Sequence, residues 1–500
     1  MLRFLVKGIH RISKHTSTSN PISVMSGIDK TLFPVPVVQD AALNALVPQV
    51  WPGITPTSTE LLRKLLTENH NKYHIYFNER RFHNHVAHTA LTLWALGANE
   101  DALNDAYDRA AKIQKPFFTS PGTITKDNWT THLGDGDYYQ GYLSFFKSEL
   151  EAKKFDYGAV LEEYVMAPLA NYDPESKIGE KVPLMLNRFL SGVVHSFIHA
   201  GFGIEFNLPG LFAEGLALGA VEKQDAEQLF SPEQFAEAKQ GASETHAFTI
   251  LARILAEPKM ALTEPHAMFS FYSEALEKHG EAIRKYADEW IVNDSDVDKK
   301  VEELIWTATL LYGVGGTHKH EFFNADFFFM HFVTSSIFIP TVVKTLKNKT
   351  SQLRLLKGYF AIILSWYIAH GRPALNLRKF FSNPNSLVAS PPGPARLYHG
   401  VPLANQWHEI MQATLRHPDD HLSKLQRALA SHAVHFGKTS KGTFVNVPEL
   451  DGVEEIDGTL FLRTALLTMD RLGWVFDTEK TKNGFPVWDR EGFWGLGESS

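Results

Sequence analysis

The 500-residue chain sets 49 Lys and Arg against 56 Asp and Glu, a formal net charge of −7, so it lacks the basic field of a nucleic-acid binder. With 44% hydrophobic and 21% charged residues it has globular composition and ample length for a large core, which excludes global disorder. Cys is 0, which removes disulfides, thiolate zinc sites, iron–sulfur clusters and cysteine nucleophiles and leaves any metal to nitrogen and oxygen ligands.

Residues 1–28 carry Arg3, Lys7, Arg11 and Lys14 and no carboxylate before Asp29. This basic, Ser-rich, acid-poor stretch reads as a disordered extension or a mitochondrial targeting segment, with Met25 as an alternative start; the remainder reads as a cytoplasmic protein. Helical periodicity then dominates. Leu61, Leu62, Leu65 and Leu66 form an apolar stripe over 57–73, capped by Thr57, Ser58 or Thr59. A second helix is predicted over 85–96, stopping at Gly97, and a third over 99–115, ended by Pro116. Further helices are expected at 140–156, 157–170, 181–200, 244–256, 268–292, 298–312, 325–347, 352–370, 404–416 and 420–437, with loops at 116–137, 201–210, 313–320 and 382–403. Alternating Val/Ile/Thr stretches are scarce. The predicted fold is all-α: a main helical catalytic domain over 29–390 and, beyond the Pro-rich stretch at 389–394, a C-terminal helical segment over 391–500 packed upon it. The apolar runs Phe327–Val343 and Tyr359–Ala369 fall short of the roughly 18–20 uninterrupted residues of a membrane span.

Several standard sites are absent from the sequence. There is no Gly-x-Ser-x-Gly elbow and no P-loop, and neither Gly201, Gly203 and Gly210 nor Gly313, Gly315 and Gly316 have dinucleotide-binding spacing. The 23 histidines and 35 phenylalanines are more informative. His85 and His88 lie three apart on one predicted helix, and His195 and His199 lie four apart on another, the spacing that lets two imidazoles share a divalent metal. Asp326 and His331 sit within an aromatic run, where a buried polar group needs a partner. Any one of these histidines alone reads most simply as a hydrogen-bonded core residue; together they suggest a metal site. His417 and His421, flanked by Asp419 and Asp420, form a rival cluster, but Pro418, Asp419 and Asp420 read first as the opening turn of a helix. His318 and His320 sit in a Gly-rich loop. The phenylalanine runs read as core, or as flat walls for a polycyclic aromatic guest.

These segments resemble the questin oxidase-like family of fungal and bacterial oxidoreductases. The resemblance is carried by His83-Asn84-His85 through Gly97, by His195-Ser196-Phe197-Ile198-His199 through Phe206, and by Asp326 through Ser336. It continues through Leu356-Lys357-Gly358-Tyr359, Gly371-Arg372-Pro373, Trp407 and His417-Pro418-Asp419-Asp420-His421, spanning about residues 40–470. Ser196 stands where a Pro is common in the family, and His370 stands before Gly371 in place of Arg. The resemblance implies oxidative ring cleavage or Baeyer–Villiger oxygen insertion on an aromatic polyketide such as an anthraquinone, with O2 and NADPH as co-substrates. It also implies non-haem Fe(II) held by histidines and a carbamylated lysine. Carried over, the metal-ligand candidates are His85, His88, His195, His199, His331 and Lys357. Asp326 is expected to orient an imidazole and Arg372 to polarise a substrate carbonyl. A helical metallohydrolase and a non-catalytic apolar-ligand carrier are the alternative classes.

Overall fold

The computed structural model describes residues 27–37, 46–172, 182–232, 235, 245–263, 270–291, 295–318, 323–383, 397–398, 401–402, 404–475 and 484–494. The expectations for residues 1–26, for the Pro-rich stretch at 389–394 and for His320 lie outside these.

The fold is all-α. Thr55 opens α1 (Pro56–Lys72) with a capping box, its hydroxyl accepting from Ser58 N while Ser58 Oγ accepts from Thr55 N, which satisfies two otherwise orphaned donors. α2 (Val86–Ala95) ends before Gly97, whose left-handed φ of +80° and close approach to Pro52 leave no room for a Cβ. α3 (Glu100–Ala111) is capped by Asn99. α4 (Tyr139–Ala152) precedes α5 (Tyr157–Leu161), which passes into a π-turn at Glu162–Met166 and a 3-10 turn at Pro168–Ala170. The single helix expected over 157–170 breaks there because Pro168 has no N–H to continue the ladder.

The largest departure from the sequence reading lies at 201–210. α6 (Met185–Glu205) runs through Gly201 and Gly203, and α7 (Pro209–Val221) follows after a short turn. A Cβ on Gly201 would stand 2.6 Å from Phe338 and one on Gly203 2.4 Å from the backbone of Phe212. These glycines are points of close helix contact, not loop signals. α7 is buried on every side, as befits an internal helix, so its carboxylate Glu214 needs buried partners.

The remaining helices are α8 (Ala247–Ala256), α9 (Phe271–Trp290), α10 (Val297–Gly313), α11 (Phe327–Ser336), α12 (Ile339–Thr345), α13 (Lys349–Ala369), α14 (Leu377–Ser382), α15 (Gln406–Thr414), α16 (Asp420–Phe436) and α17 (Thr459–Leu472). The helix expected over 325–347 is two, α11 and α12, bent by 50° at the break, where Pro340 prevents continuation. Among the described residues the sole sheet is an antiparallel pair, with Leu397 opposite Pro402 and Tyr398 opposite Val401. No single helix is long and apolar enough to cross a membrane.

α6 is the axis. α7 packs along it; α2, α11, α12 and α13 also contact it, and α16 lies across α2 and α11. A buried ion pair between Glu205 at the end of α6 and Arg427 on α16 ties these two elements together. Residues 484–494 strap the start of α11: Phe327 N donates to Asp489 O at 2.7 Å, Ala325 N donates to Asp489 Oδ2 at 2.8 Å, and Arg471 pairs with the same carboxylate. Four elements distant in sequence, α2, α6, α11 and α16, thereby meet at one place.

Candidate functional site

Histidines converge at that meeting point. His85 caps the start of α2, His195 lies on α6, His331 on α11 and His421 on α16. Their rings pack together: His85 lies 5.0 Å from His195 and 4.7 Å from His421, and His331 lies 4.9 Å from His195 and 5.1 Å from His421. One nitrogen of each side chain from His85, His195 and His421 falls within 4.8 Å of the others.

Each of the four rings is anchored through Nδ1. His85 donates to Asp420 Oδ2 at 2.7 Å, His421 to Asp420 Oδ1 at 2.7 Å, His195 to Gly192 O at 2.5 Å and His331 to Phe327 O at 2.7 Å. A ring that donates from Nδ1 in its neutral form keeps a lone pair on Nε2. The consequence is visible at all four positions: Nε2 of His331 and of His421 is buried without a hydrogen-bond partner, and Nε2 of His85 faces Nε2 of His195 at 2.9 Å. Two lone pairs that close repel unless a cation lies between them. About 2.9 Å is also the separation of two cis ligands on a metal–nitrogen bond of about 2.0–2.1 Å. The donor set therefore fits a divalent metal.

Electrostatics agree. Burial, with the charge of Lys424 adding to it, pushes His85 down to about 3. Burial also holds His195 and His331 well below the ordinary imidazole value, His83 and His421 respectively contributing. Metal ligation requires this neutral form. Burial works against ionisation of Asp420, yet His421 and His85 hold its carboxyl well below the usual range. A charged carboxylate behind two ligating imidazoles fixes their tautomer and raises their basicity.

The backbone contributes at α6. The helix is interrupted at Ser191, and Gly192, Val193 and Val194 take left-handed φ of +56°, +53° and +57°. For a β-branched residue that conformation is strained by roughly 1–2 kcal/mol. The turn directs the Gly192 carbonyl at His195 Nδ1. A Cβ on Gly192 would stand 3.2 Å from His83, whose ring stacks on His195 at 3.9 Å and bonds Glu222 at 2.7 Å.

A profile described as questin oxidase-like matches residues 82–429. The chain belongs to that family. It is 27% identical over 426 residues to a questin oxidase of Aspergillus terreus, covering 82% of this chain and 87% of the relative. It is 28% identical over 434 residues to the Baeyer-Villiger oxidase mdpL of Emericella nidulans, covering 83% and 89%. It is 28% identical over 448 residues to the oxidoreductase AflY of Aspergillus parasiticus, covering 85% and 82%. As a questin oxidase-like protein it is an oxidoreductase of the oxygenase type.

The structure sorts the residues that the family resemblance pointed to. It brings His85, His195 and His331 together and adds His421, which the sequence reading had placed behind a purely structural role. That role is also present, since Asp419 Oδ1 caps α16 by accepting from His421 N and Leu422 N. The side chains of Asp420 and His421 nevertheless turn inward to the imidazoles.

His88 and His199 form a neighbouring relay instead. His88 Nε2 meets His199 Nδ1 at 2.9 Å, His199 Nε2 bonds Glu214 Oε2 at 2.6 Å, and His70 bonds the other oxygen of Glu214. With both ring nitrogens engaged, His199 has no lone pair for the metal that its spacing from His195 suggested.

Lys357 lies elsewhere, its Nζ bound to Asp288 of α9 at 2.9 Å. The lysine beside the imidazoles is Lys424, buried one turn along α16 from His421. Its charge acts on His85, His88, His195 and His331, and burial lowers its own pKa, with Asp420 and Asp419 opposing. Arg372 donates to the carbonyls of Ile254 and Glu257 at 2.5 and 2.8 Å and so pins the end of α8. Asp326 does orient an imidazole, but that of His370: Oδ1 caps α11, accepting from Phe328 N and Phe329 N, and Oδ2 accepts from His370 Nδ1 at 2.7 Å. The sequence signals that pointed to the missed groups were the His-Pro-Asp-Asp-His run and the three-residue spacing of His421 and Lys424.

Proposed function

We propose that the protein is a non-haem iron oxygenase that opens a ring of a flat aromatic polyketide, of the anthraquinone class, by inserting oxygen from O2. The observation that carries this reading is the convergence of His85, His195 and His421, one nitrogen of each within 4.8 Å of the others, with the unpaired Nε2 of His331 buried beside them, in a chain similar to questin oxidase and to Baeyer-Villiger oxidases. His85, His195, His331 and His421 hold the iron. Lys424, once carbamylated by CO2, adds an anionic oxygen ligand, and its burial favours the neutral amine that this chemistry needs. Bound Fe(II) with an open position supplies the activation of O2.

The chain's own residues do the rest. Asp420, Gly192 O and Phe327 O fix the ring orientations, which removes the cost of reorganising them during reaction. Phe327, 4.8 Å from His331 and 5.1 Å from His421, together with Phe328 and Trp366 stacked at 4.3 Å, offers a flat apolar wall that binds the aromatic rings and keeps water away.

Purified protein reconstituted anaerobically with Fe(II) is expected to hold one iron per chain and to consume O2 on addition of an anthraquinone. Absence of stoichiometric iron overturns the reading, and a redox-inert metal supporting hydrolysis replaces it with the metallohydrolase. Measuring turnover with and without NADPH identifies the electron source. Insertion of one oxygen atom, with the other reduced to water, draws two external electrons; incorporation of both atoms draws none.

A further inference from the structure

Asp225 lies in the loop after α7, and the interrupted turn of α6 holds its carboxylate. Oδ1 accepts from Ser191 Oγ at 2.7 Å and Oδ2 from Gly192 N at 3.3 Å. The residue is exposed, yet desolvation by the surrounding protein pushes its carboxyl up to about 6 against the Ser191 bond, with Glu222 adding to the rise. Asp420, beside the imidazoles, likewise keeps 38% of its side chain accessible next to half-buried His85 and buried His421.

A circuit of contacts joins Asp225 to the imidazoles. Tyr272, half-buried, has its hydroxyl pushed well above the ordinary range by burial and by Asp225. Its ring stacks on Trp366 at 4.4 Å, Trp366 stacks on Phe328 at 4.3 Å, Phe328 meets Phe327 at 5.4 Å, and Phe327 touches His331. From His331 the path returns through His195, 4.9 Å away, to Gly192 and Asp225. Imidazoles stand at one end, Asp225 and Tyr272 at the other, and flat apolar rings between.

We propose that Asp225 reads the substrate: it accepts a hydrogen bond from a phenolic hydroxyl of a flat aromatic compound whose rings lie along Tyr272, Trp366 and Phe328 and whose far end meets the imidazoles. This rests on the oxygenase reading above. Ser191 and Gly192 leave each carboxylate oxygen a further lone-pair direction, and an ionised carboxylate only accepts. It therefore favours a hydroxyl over the corresponding methyl ether, which brings no proton and sets a methyl group against charge.

The test is equilibrium binding of 1,8-dihydroxyanthraquinone and of its dimethyl ether to the iron-loaded full-length protein, read by tryptophan quenching. Wild type is expected to favour the dihydroxy compound by about 10- to 100-fold. Asp225→Ala is expected to reduce that preference to within about threefold, with iron content unchanged and affinity for the ether not lowered. Asp225→Asn, which keeps one acceptor oxygen and turns an amide NH2 to the second donor, loses part of the preference, and Asp225→Glu restores it. A preference that is absent in wild type, or undiminished in both Asp225→Ala and Asp225→Asn, overturns the role of Asp225 alone. Wild-type protein that takes up iron but binds neither ring overturns the aromatic-substrate reading beneath it.

Discussion

Two groups of buried imidazoles lie side by side in this protein and do opposite things with the same chemistry. In the cluster of His85, His195, His331 and His421, each ring donates outward through Nδ1 and leaves Nε2 without a carbonyl or carboxylate partner. In the relay of His88, His199, Glu214 and His70, the groups bond one another in series, so that both ring nitrogens of His199 and both oxygens of Glu214 are engaged. Burial opposes ionisation of Glu214, but His199 and His70 hold its carboxyl down to about 2, so α7 keeps a buried charge. The first arrangement leaves lone pairs for a metal; the second uses them for cohesion. What separates an imidazole free to bind a metal from a structural one here is where its second nitrogen points, not its burial or its helix position.

Substitutions in the two groups should therefore fail in different ways. The largest effect is expected for His331→Ala or His421→Ala: loss of stoichiometric iron by metal analysis and a fall in O2 consumption of about 10³-fold or more, with helical circular dichroism retained. In the relay, Glu214→Ala strands two buried imidazoles and is expected to cost about 3–5 kcal/mol in chemical denaturation, while protein that remains folded still binds iron. A loss of iron without loss of stability would erase the distinction between the two groups. Asp420→Asn keeps the ligands but weakens the anchor of two of them, and iron affinity should fall by about 10- to 100-fold in a competitive chelator titration.

The smallest effect concerns a histidine in neither group. His432 on α16 is buried, its Nε2 bonded to Ser336 Oγ at 2.8 Å, and burial pushes it down to about 3. The unfolded chain binds its proton near the ordinary value of about 6.5, so stability present above that pH is lost progressively as pH falls toward 3. Between pH 7 and pH 5 this one group accounts for about 2 kcal/mol. His432→Gln should flatten the pH dependence of unfolding by about that amount.

The helices were legible because their signals are local. The Gly97 stop and the apolar stripe of α1 act within a few residues and place α1 and α2, although the cap of α1 is Thr55 and not Thr57, Ser58 or Thr59. Glycine misled at 201–210 because Gly201 and Gly203 answer to Phe338 and Phe212, which approach from other segments. The pairing of His195 with His199 misled for a similar reason: spacing puts both on one helix, but Glu214 of α7 claims the second ring. His421 was visible and ranked below its capping turn, because nothing local shows that Asp420 reaches His85 across 335 residues. Lys357 and Lys424 both lie on helices, and only packing brings one of them to the imidazoles.

By itself, then, the sequence determined the kind of fold and the kind of donor: an all-α chain rich in histidine and devoid of cysteine, whose periodicity and caps are short-range and survive reading without coordinates. Which imidazoles share a centre, which lysine joins them and which carboxylates orient them was decided by tertiary structure alone. Those choices depend on groups hundreds of residues apart coming within hydrogen-bond reach, and on desolvation that exists only once the helices have closed around them.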